Sequence, residues 1–364
     1  MIGTQWSDGL QSRPAELSIG LGQGRVRCLA CGHRCVIEPG RAGVCGMRSN
    51  RGGALYAPWG YVSGLAADPI EKKPFYHVVP GSIALSYGML GCSFHCDFCQ
   101  NWRISQVRRD PAAEERAEPV EPEEIVARAL HRGSSAVIST YNEPLITSEW
   151  SIEVFRAARK AGLLTGFVSN GYASAESLAF LLPWLDVYKV DLKSFSDRTY
   201  KKLGGRLSNV LNSIRTLHAL GVWLEVVTLI VPGENDSDDE LRAIAVFLAS
   251  VSPSIPWHVT AFHPGYRLPG APHTPRATLL RAAGIGRAAG LQFVYTGNLP
   301  ARAGAQENTV CPGCGGVLVE RSGYCVTANR LTAEGRCPGC GRTIPGVWHS
   351  RPAARGRRLT PGGG

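Results

Sequence analysis

The chain has 364 residues, enough for one large domain with one or two small modules beside it. With 44% hydrophobic and 19% charged residues, and no run near the roughly 20 apolar residues of a membrane span, it reads as soluble and globular. The start, MIGTQWSDGLQSRP, lacks the basic lead and apolar core of a secretory signal, so the cytoplasm is the expected compartment. A net charge of +10 suits an acidic partner, but Arg351, Arg355, Arg357 and Arg358 sit in a Pro/Gly-rich tail. No aromatic-interleaved basic stripe accompanies them, which speaks against nucleic acid.

In chain order, residues 1–20 read as a disordered lead-in and 21–60 as a small module stapled by four cysteines. Residues 61–80 read as a connector, extended because ADPIEKKPFYHVVPG carries three prolines. Beyond it, short apolar runs predict strands over 83–90, 135–140, 163–169, 185–192, 223–231, 256–262 and 291–296. Between them PEEIVARALHRG, EWSIEVFRAARKAG, SAESLAFLLPW, NVLNSIRTLHALG and DDELRAIAVFLASV carry apolar residues at helical spacing. This alternation predicts an α/β fold with a parallel sheet, a partial (βα) barrel over 81–300. An open doubly wound sheet has the same periodicity. A second module is expected over 305–348, with VLVERSGYCVTANRL as a hairpin, and a disordered basic tail over 349–364.

The twelve cysteines fall in three tight groups with Cys325 apart as an unliganded thiol. In a reducing compartment such grouping points to metal sites rather than disulfides. In GCSFHCDFCQNW, Cys92, Cys96 and Cys99 follow the first predicted strand, where a βα barrel carries its active site. Three thiolates ligate three irons of a [4Fe–4S] cube and leave the fourth iron open. Structural zinc would need a fourth ligand, and His95 adjoins Cys96 too closely in sequence to supply it without folding back.

Cys311-Pro-Gly-Cys314-Gly and Cys337-Pro-Gly-Cys340-Gly are matched turns whose glycines permit a positive φ, as in a zinc ribbon. Cys28, Cys31, Cys35 and Cys45 supply four thiolates for zinc or for an auxiliary cluster. The Cys28-Leu-Ala-Cys31-Gly32 segment repeats the ribbon turn and favours zinc.

The pattern C-x3-C-x-aromatic-C, with Phe98 before the last cysteine, resembles the cluster motif of the radical S-adenosylmethionine (SAM) superfamily. More narrowly, CLACGHRC…GRAGVCGMR, DPIEKKPFYHVVPG, STYNEP, YKVDLKSF, PWHVTAFHPGY and CPGC…CPGCG…IPGVW resemble the radical SAM proteins of the AmmeMemoRadiSam system. These are relatives of pyruvate formate-lyase-activating enzymes, and the likeness spans about 25–348. It implies a site-open [4Fe–4S] cluster and SAM, cleaved reductively to methionine and a 5′-deoxyadenosyl radical that takes hydrogen from an unidentified protein or small molecule. It further implies a flavodoxin- or ferredoxin-type one-electron donor, with Memo-type and AMMECR-type proteins as candidate partners.

For SAM, the resemblance puts Tyr141, Asn142 and Glu143 where relatives carry a Gly-Gly-Glu-type segment. It assigns Asp191 and Lys193 of VDLK to the ligand and His263 to its adenine. Ser169 and Asn170 follow the third predicted strand and join the same set. No catalytic base beyond the cluster ligands is needed, because the cofactor carries the hard step. The competing class is a non-catalytic, metal-stapled binding protein.

Overall fold

The computed structural model describes residues 10–113, 116–299 and 304–350. Its core is an eight-stranded sheet whose spatial order is the chain order. The strands are β1 (Gly64–Pro69), β2 (Ile83–Gly88), β3 (Ser134–Ser139), β4 (Leu164–Ser169), β5 (Val187–Asp191), β6 (Trp223–Ile230), β7 (Trp257–Ala261) and β8 (Val294–Gly297). From β2 to β8 every pairing is parallel, and β1 lies antiparallel against β2.

Such strict order decides between the two candidate architectures. A doubly wound sheet reverses its strand order part-way, which puts helices on both faces. Here each crossover steps the same way, and right-handed crossovers then place all helices on one side. The side chains agree. Leu85, Tyr87, Phe167, Tyr188, Val190, Trp257 and Val259 point outward and share one core with the helices. Their alternates Ala84, Ala136, Ile138, Leu164 and Val187 face inward and pack in a separate core with Ile70, Phe75 and Val78. The sheet is therefore a partial barrel, with β1 and β8 as its two edges.

The helices are α1 (Pro122–His131), α2 (Ser148–Lys160), α3 (Ala175–Leu181), α4 (Asp197–Leu203), α5 (Leu207–Ala219), α6 (Asp238–Val251) and α7 (Arg276–Ala288). Serine caps start three of them: Ser174, Ser196 and Ser237 accept from Ser177, Thr199 and Glu240 backbone N–H groups. The sequence pattern does not foresee α4, α7 or β1.

Two expectations need correction. The connector is part of the barrel: β1 completes the sheet, and Ile70, Phe75 and Val78 plug the lower mouth. Glu225 fixes that plug, accepting from the Tyr76 and His77 backbone N–H groups at 3.0 and 2.9 Å while bonding His258 at 2.7 Å. The lead-in is also structured over its described part. Ser12–Pro14 pairs with Ala54–Pro58, and Ser18–Gly20 with Val26–Cys28. Residues 1–9 and the tail from 351 lie outside the described residues.

The C-terminal module is the expected antiparallel hairpin, Val317–Ser322 with Cys325–Asn329, edged by Thr309–Val310. Among the described residues no helix is long and apolar enough to cross a membrane.

Candidate active site

A cavity of about 380 Å³ opens at the C-terminal ends of the strands. Cys92, Cys96, Cys99, Phe98, Tyr141, Asn142, Glu143, Ser169, Asn170, Asp191 and Lys193 all line it. His263 does not. Its ring bonds the carbonyl of Asn298, which does line the cavity, and the ring of His273.

The loop after β2 carries the three cysteines, and its course is fixed by close packing. Gly91 donates to Ile104 O at 2.8 Å. It holds φ +87° where an added Cβ would lie 2.2 Å from Met47, so glycine is required. Burial pushes the Cys92 thiol well up, the Cys96 thiol up to about 12, and the Cys99 thiol up. Without metal these thiols keep their protons, and ligation must release them.

Glu143 ties the next two loops together. It accepts from Leu145 N at 3.1 Å, capping the short helix Pro144–Thr147, and from Ser169 Oγ at 2.7 Å and Asn170 N at 2.8 Å. Burial outweighs these bonds and raises its carboxyl to about 7. Asn170 passes the connection to the cysteine loop by donating to Ser93 Oγ at 3.0 Å. Asn142 accepts from Met89 N at 3.0 Å, binding the β3 loop to the end of β2. Tyr141 takes φ +72°, a left-handed backbone that glycine adopts freely. Asn101 Nδ2 donates to Tyr141 O at 3.0 Å and holds this turn.

Asp191 stands between two ammonium groups, Lys189 at 2.6 Å and Lys193 at 3.4 Å. Burial alone would lower the Lys193 pKa, but the Asp191 carboxylate overrides it and keeps the side chain charged. Its Nζ lies 5.9 Å from the Phe98 ring centroid, and its backbone is pinned by Tyr200 Oη and Asn235. Lys189 is missed by the sequence reading. It sits two residues before Asp191 and so shares its inward face, a signal that strand periodicity alone carries.

The C-terminal quartet closes on itself. Cys311, Cys314, Cys337 and Cys340 bring their sulfurs within 4.8 Å of one another, with two pairs at 3.6 Å. A tetrahedron with Zn–S bonds of about 2.3 Å has edges of roughly 3.8 Å. Gly315 and Gly341 take φ +74° and +72°, and each donates back to the first cysteine of its turn. Burial opposes ionisation of Cys311, but the N–H groups of Cys314 and Gly313 bring its thiol down to about 7.

The N-terminal quartet differs. Among the described residues, neither it nor the central triplet forms a group of three sulfurs within 4.8 Å. Gly32 is not left-handed and donates to Tyr172 O at 2.8 Å instead of back into its own turn. An added Cβ there would meet Asn209 and Tyr172 at 2.6 and 2.9 Å. The repeat of the ribbon turn is thus one of sequence only; this glycine serves close approach to the barrel. The module also abuts the cysteine loop, through His33 on Ser93 O and through Arg109, which donates to both Val44 O and Cys92 O. Cys325 stands exposed on the hairpin, outside the quartet.

A partial βα barrel with three cysteines after its first parallel strand and a polar cavity at its strand ends defines a cofactor-dependent enzyme class. Residues 87–247 match the model of the Radical SAM superfamily. An uncharacterized protein of Methanocaldococcus jannaschii is 38% identical over 327 residues, 89% of this chain and 96% of that one. The isethionate sulfite-lyase activating enzyme of Nitratidesulfovibrio vulgaris is 28% identical over 35% of this chain and 43% of its own length. The pyruvate formate-lyase 1-activating enzyme of Escherichia coli K12 is 23% identical over 54% of this chain and 85% of its own. The chain belongs to the radical SAM superfamily, and it is an enzyme related to the pyruvate formate-lyase-activating enzymes. That membership sets aside the non-catalytic alternative, and it implies a [4Fe–4S] cluster and SAM.

Proposed function

We propose that Cys92, Cys96 and Cys99 hold a site-open [4Fe–4S] cluster that drives reductive cleavage of SAM and hydrogen abstraction from a substrate. The carrying observation is the convergence of the three thiols, the Asp191–Lys193 pair and the left-handed Tyr141 on one cavity. The donor set fits the group, since three thiols leave one iron of a cube without a protein ligand. When bound, the cluster supplies the electron that splits SAM into methionine and a 5′-deoxyadenosyl radical.

The chain's own residues bind and enclose. Thr140, Tyr141 and Asn142 line the cavity, and a backbone carbonyl of this loop would accept from an ammonium group. Lys193 would meet a carboxylate and Asp191 a hydroxyl pair. Glu143, Ser169 and Asn170 hold the loops that present these groups. His263 acts one step back, through Asn298. A flavodoxin- or ferredoxin-type protein would deliver the electron, and Memo- and AMMECR-type proteins belong to the same proposal as partners. Electron paramagnetic resonance tests the reading: SAM added to the reduced protein should change the cluster signal, because its amino and carboxylate groups take the open iron. An unchanged signal would count against it.

For the outer sites we propose zinc at Cys311, Cys314, Cys337 and Cys340, and an auxiliary iron–sulfur cluster at Cys28, Cys31, Cys35 and Cys45. The second assignment follows the wider sulfur spacing, shared with the central triplet. In a cube each ligand sulfur extends from its own corner, so the sulfurs stand further apart than around one zinc ion.

A further inference from the structure

A partial barrel leaves a gap between its first and last strands, through which a chain segment could reach the cavity from the side. Here the C-terminal module spans that gap. It meets the β8 edge through Thr309, whose Oγ1 bonds Tyr295 Oη at 3.0 Å. On the other side it meets the segment that follows β1 through Arg321, whose side chain is fully buried, paired with Glu71 at 3.5 Å and donating to Tyr76 O at 2.7 Å. Beyond Arg321 the hairpin turns, with Gly323 N held by Glu307 at 2.9 Å, and presents Tyr324 to the cavity.

The cavity also carries two cationic poles. One is Asp191 with Lys189 and Lys193. The other is Asp68 with Lys72 and Lys73, both at 2.9 Å, again two ammonium groups against one carboxylate. Lys73 is 5% exposed and also donates to Tyr141 Oη at 3.0 Å, which leaves one of its three donors for a ligand. The acid beside it, Glu71, is held through Oε1 by Arg321 and Gly81 N, and burial raises its carboxyl, whose Oε2 has no partner among the described residues. SAM brings a single carboxylate, and the first pole serves it. The second pole is left over.

We propose that the enzyme acts on a small anionic molecule, its acidic group bound by Lys72 and Lys73 and its body resting against Tyr324 of the C-terminal module. This rests on the radical SAM reading above and adds the substrate class. The same cavity of about 380 Å³ would also take the cluster and SAM, so the space left beside them suits a small ligand. The contacts of the C-terminal module at both ends of the side gap stand in the way of a polypeptide loop entering laterally.

The test uses the full chain, iron-reconstituted and saturated with SAM, with inorganic phosphate as the probe anion in calorimetry. Wild type should bind phosphate saturably without displacing SAM. Lys72→Ala and Lys73→Met should each weaken it about ten- to a hundredfold, the scale of one charge-assisted hydrogen bond. Lys72 is half in solvent, so its removal leaves the fold intact even where loss of buried Lys73 does not. Absent binding, binding indifferent to both lysines, or competition with SAM overturns the proposal. A second arm measures 5′-deoxyadenosine formation, each protein against its own basal rate, with fractions of a cell extract. Low-molecular-weight anions should stimulate wild type and not Lys73→Met, whereas stimulation by the macromolecular fraction alone identifies a polypeptide substrate and overturns the proposal. If wild type forms no 5′-deoxyadenosine under any condition, the radical reading has failed, and the phosphate titration still judges the anion site.

Discussion

Arg48 of the N-terminal module and Glu149 of α2 close a forked ion pair, two N–H···O bonds of 2.7 Å between side chains only 1% and 2% exposed. Glu149 also accepts from Leu17 N at 3.2 Å, and Arg48 donates to Ile146 O at 3.1 Å. The module is thereby welded to the barrel beside the cysteine loop. Opening a buried pair leaves a charge without compensation, so Arg48→Ala should cost about 3–5 kcal/mol. Arg34–Glu176 joins the same two parts at 2.6 Å but is 41% and 38% exposed, and its loss should cost under about 1 kcal/mol. Denaturant unfolding of the two variants distinguishes them; equal losses would contradict the assignment.

Glu143 makes stability depend on pH. Burial raises its carboxyl from 4.5 to about 7 in the folded chain, so between those values the native state binds the extra proton and stability falls as pH rises. The penalty is absent below the unfolded value and complete above about 7, where it amounts to roughly 3–4 kcal/mol. Glu143→Gln should flatten that slope relative to wild type over the window. Unfolding curves at several pH values check it, and parallel profiles would refute the assignment.

Lys193→Ala should weaken SAM binding by about one to two decades, the worth of a charge-assisted contact of roughly 1.5–3 kcal/mol. Iron content should stay near wild type, since the side chain faces the cavity without supplying a cluster ligand. Calorimetry with SAM measures this, and unchanged affinity would remove Lys193 from the ligand's contacts.

Metal analysis separates the three cysteine groups. With Cys92, Cys96 and Cys99 all changed to Ala, the chain should retain roughly four irons, one zinc and a brown colour. A further Cys31→Ala should take the iron, and Cys314→Ala the zinc. Small metal modules draw much of their folding energy from the ion, so Cys314→Ala should also render the hairpin protease-sensitive. Two zinc ions and no iron in the triple variant would restore the ribbon-like reading of the first module.

The parallel strands were legible because both faces are buried, giving apolar runs such as WLEVVTLI, and the site residues because they follow those runs. Strand β1 was not. Its sequence GLAADP is half-exposed throughout and ends in proline, so neither an apolar run nor an alternation marks it. Helix α7 hides behind Gly284 and Gly286; the second is needed because Trp257 would lie 2.9 Å from an added Cβ. His263 shows the limit of a linear reading. It follows β7, as a site residue should, yet its ring turns to His273 and Asn298. Lys73 and Tyr324 reach the cavity from a proline-rich connector and a hairpin turn, where only tertiary packing brings them to one wall.

The most direct test of the central claim is the formation of 5′-deoxyadenosine from SAM by anaerobically reconstituted, strongly reduced protein. Wild type should produce it with methionine in equal amount, slowly even without substrate, and Cys96→Ala should produce none, because a cube short of one of three protein ligands is lost or misplaced. Undiminished formation by Cys96→Ala, or none by wild type carrying a full complement of iron, would contradict the account.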